Sequence, residues 1–289
     1  MQAIQTIIGI VAFALIAPFV GGFLAGVDRK LSARMQGRVG PSVLQPFYDV
    51  RKLLAKERAS VNSADSVYVA TALLFAVVSG GIFFSGGDLL LCVFTITLSS
   101  LMFIIAAYCA RSPYAELGAS REILQVLSYE PAVLIMAVVF YLSVGSFAVA
   151  DAFGAARPAI IYGWPAFLGL LFVLTIKLRK SPFDLSMAHH AHQEIVRGMT
   201  LEMSGPTLAK VEILHWCESV LFLGWVGMFF LWGGPTSLAI AGAVALLVFL
   251  FEIWIDNNFA RVKWQAMLAS SWAVALVAGG VNLAMLAAL

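Results

Sequence analysis

A chain of 289 residues that is 61% hydrophobic and only 12% charged, with a mean hydropathy of +0.93, has too few charges to cover a water-facing surface. Soluble domains are about half apolar and about a quarter charged, so lipid must be the solvent for most of this one, and the net charge of +2 argues against a nucleic-acid partner. Three cysteines, Cys92, Cys109 and Cys217, lie far apart in apolar runs; an iron–sulfur cluster needs about four thiolates, so none is expected in this chain.

A spanning helix needs roughly 20 mostly apolar residues. Eight segments qualify in chain order: 4–27, 67–86, 89–110, 124–148, 159–178, 208–232, 236–255 and 265–288. They predict an all-α membrane protein, one polytopic domain over residues 1–289. The first segment lacks a basic start and is followed by Arg29 and Lys30, so it reads as a retained helix rather than a secretory signal. In the long loop that follows, PSVLQPFYDVRKLLAKE (41–57) places Leu44, Phe47, Leu53 and Leu54 mainly on one helical face. Asp49, Arg51, Lys52, Lys56 and Glu57 lie opposite. Such a helix either lies in the membrane interface or presses on a partner.

Eight spans bring both termini to one side and make the loops alternate. Seventeen Lys and Arg residues then fall on one face, and Arg157 alone on the other. Cytoplasmic loops carry the Lys/Arg excess, so the basic face is expected in the cytoplasm and both termini outside.

Ionisable residues inside spans are expensive and mark cavities, partners or ion paths. Glu116 and Glu122 fall in the segment RSPYAELGASREILQVLSYE (111–130), read as a loop that Glu130 closes at the mouth of the fourth span. Pro131 removes a backbone donor there, freeing a carbonyl for water. Glu212, His215 and Glu218 recur every three residues at the start of the sixth span. Each step turns back about 60° and climbs about 4.5 Å, so the three share one arc. A histidine titrates near neutrality, which suits proton hopping through bound water; interhelical hydrogen bonding is the alternative. The third group is the loop SPFDLSMAHHAHQEIVRGMTLEMSGP (181–206), with Asp184, His189, His190, His192, Glu194, Arg197 and Glu202. His190 and Glu194 share a helical spacing, but no further ligand set completes a metal site, and polar packing under a partner is the better reading.

These loops resemble a known family. The run GRVGPSVLQPFYDVRKLLAKE (37–57), then SYE (128–130), then SPFDL (181–185) with a Glu-bearing stretch behind it resemble, in order and on one face, subunit 1 of respiratory complex I. That subunit joins the two arms of the complex. The third loop departs from the pattern: SMAHHAHQE (186–194) stands where complex I turns acidic at once, and the acid expected in the sixth span falls near His215. The histidine-rich version, together with HWCE (215–218), is similar to the energy-converting group 4 nickel–iron (NiFe) hydrogenases of the Ech and CO-induced types.

The resemblance implies a coupling subunit that translocates H+ or Na+ across a prokaryotic cytoplasmic (inner) membrane, with no catalytic or redox centre of its own. Hydrogenase large and small subunits, carrying the NiFe centre and iron–sulfur clusters, would dock on the basic face, with antiporter-like subunits beside it in the bilayer. It assigns the acidic path to Glu130, Glu194, Glu202, Glu212, His215 and Glu218, with Glu116, Glu122 and Asp184 secondary. It gives docking to Arg38, Asp49, Lys52, His189, His190, His192 and Arg197. The alternative is the quinone-site subunit of a complex I-type oxidoreductase. A stand-alone transporter would be expected to show an inverted repeat, and none is evident. A plain anchor would not need so many buried acids.

Overall fold

All eight apolar segments form helices long enough to cross a membrane. In chain order the helices are α1 (Gln2–Met35), α2 (Gln45–Leu54), α3 (Ala64–Phe84), α4 (Leu89–Cys109), α5 (Pro113–Val144), α6 (Ile160–Lys177), α7 (Gly205–Met228), α8 (Ser237–Asn258), α9 (Trp264–Val274) and α10 (Gly280–Ala287). A single π turn (Ala275–Gly279) joins α9 to α10, so the two make one span. The computed structural model describes residues 2–57, 64–183, 185–187 and 195–288, and no strand occurs among them.

Two boundaries differ from the sequence expectation. α1 continues beyond Arg29 and Lys30 to Met35, with Ala33 buried in its last turns. α5 begins at Pro113, so residues 113–130 are helix rather than loop, and Glu130 sits well inside it. Hydropathy marks where a helix is apolar, not where it starts. Glu and Arg are good helix formers, and Pro113 occupies a first-turn position behind the extended Ser112, where its missing N–H costs nothing.

Small residues and backbone-directed hydroxyls bring the spans together, as expected where lipid offers no hydrophobic drive between helices. The Ser79 hydroxyl of α3 donates to the Cys92 carbonyl of α4 at 2.8 Å, and Ser99 of α4 returns a bond to the Ala72 carbonyl at 2.8 Å. A Cβ on Gly21 of α1 would fall 2.3 Å from the Trp216 carbonyl oxygen of α7, and one on Gly81 of α3 would fall 2.4 Å from the Ile10 Cα of α1. Phe103, Phe140, Phe222, Trp225 and Phe229 fill the centre. Cys92 and Cys217 are buried there and Cys109 partly so, all three free thiols.

Pro131 leaves the Leu127 carbonyl of α5 without its helical donor. The Trp272 indole N–H of α9 donates to it at 3.2 Å. α2 rests on the chain's own α1 and α7. Pro46 and Val50 are buried, and Phe47 stacks on Phe19 and meets Trp216 edge-on. The apolar face is narrower than expected: Leu44 precedes the helix, and both it and Leu54 are exposed.

Candidate functional site

The site is organised by the way α6 ends. The Arg179 N–H bonds to the Ile176 carbonyl at 3.0 Å and the Lys180 N–H to the Thr175 carbonyl at 3.0 Å. This pair of bonds closes a helix on a left-handed residue, where glycine is usual. Here the residue is Arg179, with φ +53°, a conformation that costs an L-residue roughly 1–2 kcal/mol. Its side chain supplies the compensation. One guanidinium nitrogen bonds Glu122 of α5 at 3.0 Å, and the other lies 3.9 Å from Glu218 of α7. Burial disfavours that charge, but the two carboxylates more than offset it and hold the arginine pKa above its usual value. The cation therefore ties α5, α6 and α7 together at the basic end of the bundle.

The next residue repeats the device on the other side. Lys180 donates to Asp28 of α1 and, at 3.3 Å, to Asp256 of α8. The Ser181 N–H adds a bond to Asp256 at 2.8 Å. Burial again opposes the charge, and again the paired carboxylates outweigh it, so the lysine pKa is raised. The chain then folds back onto α5. Gln125 donates to the Phe183 carbonyl at 2.6 Å, Ser186 donates to Glu122, and the Val196 N–H donates to the Tyr114 hydroxyl at 2.6 Å. Gly118 permits this, because a Cβ there would lie 2.6 Å from the Met199 nitrogen.

Between these ties lies a cavity of about 320 Å³. Glu212, His215 and Glu218 line it along α7, Asp28 and Arg29 along α1, Arg179, Lys180 and Arg197 along the returning chain, and Asp256 along α8. Arg29 and Arg197 are exposed and form its mouth, whereas Glu218 is buried at the far side. Beyond Glu218 a void of about 10 Å³ touches Ser100, Glu122, Gln125, Tyr129 and Lys177. That is about the space of one water. The Lys177 ammonium sits 3.7 Å from the Tyr129 ring centroid. Farther along α5, Glu130 accepts a bond of 2.6 Å from Thr97 of α4.

The three-residue spacing thus does bring Glu212, His215 and Glu218 to one cavity. Lys210, two residues before Glu212 on α7, donates from its ammonium to Ser66 of α3 at 3.1 Å. Glu130 belongs to the interior but lines neither void, and Glu116 and Glu202 are exposed and line neither. Glu122, placed second rank by sequence, holds the central arginine. Among the residues expected to dock a partner, Asp49 pairs with Arg29 at 2.7 Å, Arg38 donates to Gln36, Lys52 is exposed, and Arg197 faces the cavity. Asp184, His189, His190, His192 and Glu194 lie outside the described residues.

Sequence reasoning counted Lys177, Arg179 and Lys180 for topology and gave them no other role. The signal was present in KLRKSPF (177–183): three cations between an apolar span and an apolar turn need acids brought from elsewhere. Asp28 near the end of α1 and Glu252 and Asp256 near the end of α8 were missed because nothing adjacent in sequence marks their partners after α6.

The family described as NADH dehydrogenase matches residues 7–287 of this chain. NADH-ubiquinone oxidoreductase chain 1 of Arabidopsis thaliana is 31% identical, over 91% of this chain and 90% of that protein. Hydrogenase-4 component C of Escherichia coli (strain K12) is 27% identical over 90% of each. A solved structure of a membrane-bound sulfane sulfur reductase, described as an archaeal respiratory membrane complex, superposes with a TM-score of 0.84 at 22% identity, covering 99% of both chains, and shows the same fold. From the match over nearly its whole length, this multi-pass membrane chain belongs to the NADH dehydrogenase subunit 1 family.

Proposed function

We propose that the chain is the ion-moving coupling subunit of a membrane-bound hydrogenase, linking hydrogen evolution or oxidation in a docked cytoplasmic arm to proton movement. Hydrogenase large and small subunits, with the NiFe centre and iron–sulfur clusters, would sit on the basic face in the inner membrane, and antiporter-like subunits would adjoin the spans. The observation that carries the reading is the acid line around Arg179. Glu212, His215 and Glu218 climb one cavity wall, and the guanidinium reaches both Glu218 and Glu122.

The line works by exchange of partners. A charge change in the docked arm acts first at the mouth, where Arg29 and Arg197 stand near Glu212. A proton passed along the α7 groups to Glu218 removes the charge that attracts Arg179 across 3.9 Å, leaving it with Glu122 at 3.0 Å. The small void beside Tyr129 and Lys177 then leads towards Glu130. Glu122 and Glu130 are eight residues apart, about 12 Å along the helix, so the void and its side chains must bridge them.

Quinone reduction is the second reading, favoured by the naming of relatives and by a cavity of about 320 Å³, which falls within the usual range for ligand pockets. Such pockets are lined mainly by apolar groups with few polar ones. This one carries Asp28, Arg29, Arg179, Lys180, Arg197, Glu212, Glu218, Asp256 and Arg261, which suits water and protons better than an apolar tail.

The deciding experiment is to purify the intact assembly in mild detergent, identify its subunits and metals, and assay hydrogen evolution and quinone reduction together. Glu130→Gln, Glu212→Gln and Glu218→Gln are expected to assemble and to lose ion translocation more than redox turnover. Rapid, inhibitor-sensitive quinone reduction without nickel or hydrogen evolution would overturn the hydrogenase reading. Full pumping in all three variants and in their combination would overturn the acid line.

A further inference from the structure

A carboxyl group outside that line is unexplained by it. Glu252 of α8 is fully buried, between the core residues Phe249 and Ile253. Its Oε2 has no hydrogen-bond partner among the described residues. Its Oε1 lies 3.3 Å from the Thr175 hydroxyl of α6, and that hydroxyl lies 3.3 Å from the Leu171 carbonyl of its own helix.

A hydroxyl has one hydrogen and two lone pairs, so Thr175 cannot donate to both oxygens. One arrangement leaves no charge buried. Thr175 donates to the Leu171 carbonyl, and a protonated Glu252 donates its own O–H to the Thr175 oxygen. The unpartnered Oε2 is then the carbonyl oxygen of a neutral acid, whereas an ionised carboxylate would leave a full charge buried with a single contact. Isolated buried charge is far more costly than a neutral acid.

The next acid along α8 reaches the cavity. Asp256 is one turn nearer the basic end of α8, about 6 Å along the helix, and it lines the cavity. The charged groups lining that cavity come from every neighbouring element: Lys177 at the end of α6 with Arg179 and Lys180 after it, Asp28 and Arg29 of α1, Glu212 and Glu218 of α7, Arg197 of the returning chain, and Asp256 of α8 itself with Arg261 just beyond it. We propose that Glu252 is a proton-holding site, a neutral carboxylic acid at rest, loaded from the cavity through Asp256 and held by Thr175. In the step, Asp256 accepts a proton from hydronium in the cavity, leaving a water molecule, and passes it to the ionised Glu252, returning to carboxylate. At each of the two transfers one O–H bond breaks and one forms, and no electron moves. The use made of that proton rests on the coupling reading; its presence on Glu252 does not.

The test is infrared difference spectroscopy on the intact assembly in membranes. Subtracting the Glu252→Gln spectrum from that of the native protein is expected to reveal one protonated-carboxyl C=O band. Loss of carboxylate bands instead would show an ionised Glu252 and overturn the proposal. Thr175→Val keeps the volume and removes the acceptor, so it is expected to shift the band; an unmoved band would overturn the role of Thr175. In Asp256→Asn, hydrogen–deuterium exchange of the band is expected to slow severalfold, and unchanged exchange would overturn the loading route. Glu218→Gln separates this inference from the coupling reading, since it is expected to stop pumping while leaving the Glu252 band in place.

Discussion

Asn282 of α10 stands inside the backbone ladder of α6, donating to the Tyr162 carbonyl at 2.7 Å and accepting from the Ala166 N–H at 3.1 Å. Those two groups would bond each other in a regular helix. They are parted at Gly163, whose φ and ψ are −104° and 17°, just ahead of Pro165. A side chain inserted into the ladder is a recognised cause of a kink, and here the carboxamide satisfies both separated groups. Asn282→Leu is expected to leave both unpaired and lower stability by about 1–3 kcal/mol, read as a lower melting temperature of the detergent-solubilised assembly. An unchanged melting temperature would mean that the two groups are satisfied without it.

The bond from Trp272 to Leu127 has a parallel logic, because the demand for it comes from Pro131. Trp272→Phe alone is expected to cost about 1 kcal/mol. With Pro131→Ala, which restores an N–H to the ladder, the same change should cost much less. A double-mutant cycle with no coupling between the two positions would refute the link.

Arg179 serves two acids, so losing it strands both. Removing one partner of a buried pair costs about 3–5 kcal/mol, and Arg179→Gln is expected to approach that range and to stop ion translocation. Adding Glu122→Gln should restore part of the stability but not the translocation. A single variant that unfolds like the native assembly would exclude the central role of this cation.

Lys180 predicts a pH dependence. Burial works against its ammonium, but Asp28 and Asp256 more than compensate, so its folded pKa lies above that of the unfolded chain. Its stabilisation is complete below the ordinary lysine value of about 10.4 and vanishes as the pH rises through the raised folded value. The stability gap between the native assembly and Lys180→Met should therefore stay constant from neutral pH to about 10 and close above that. A gap that closes below neutrality would point to another group.

The Lys/Arg asymmetry predicts orientation. A cysteine at Val39, an exposed position near the basic end, should react with an impermeant maleimide only after cells are opened. One at the exposed Phe153, on the Arg157 side, should react in intact cells. The reverse pattern would invert the topology.

Much of the architecture could be read from local pattern, because a spanning helix is a local object. Lipid requires each one to satisfy nearly all of its backbone within itself and to be predominantly apolar along its crossing. Hydropathy therefore located all eight spans, and the three-residue recurrence of Glu212, His215 and Glu218 placed them on one wall. It misread residues 111–130 for the same local reason, since Glu116, Arg121 and Glu122 interrupt an apolar run without interrupting a helix.

Sequence alone could not assign the partners. Arg179 meets acids 57 positions before it and 39 after it, at Glu122 and Glu218, and no periodicity relates those distances. The left-handed end of α6, the insertion of Asn282 into that helix and the approach of Thr175 to Glu252 all depend on which spans pack side by side. Composition determined that this chain lives in lipid and where it crosses. Only the tertiary packing decided which buried charges neutralise one another, because ion pairing acts between atoms a few ångströms apart in space, however far apart they lie along the chain.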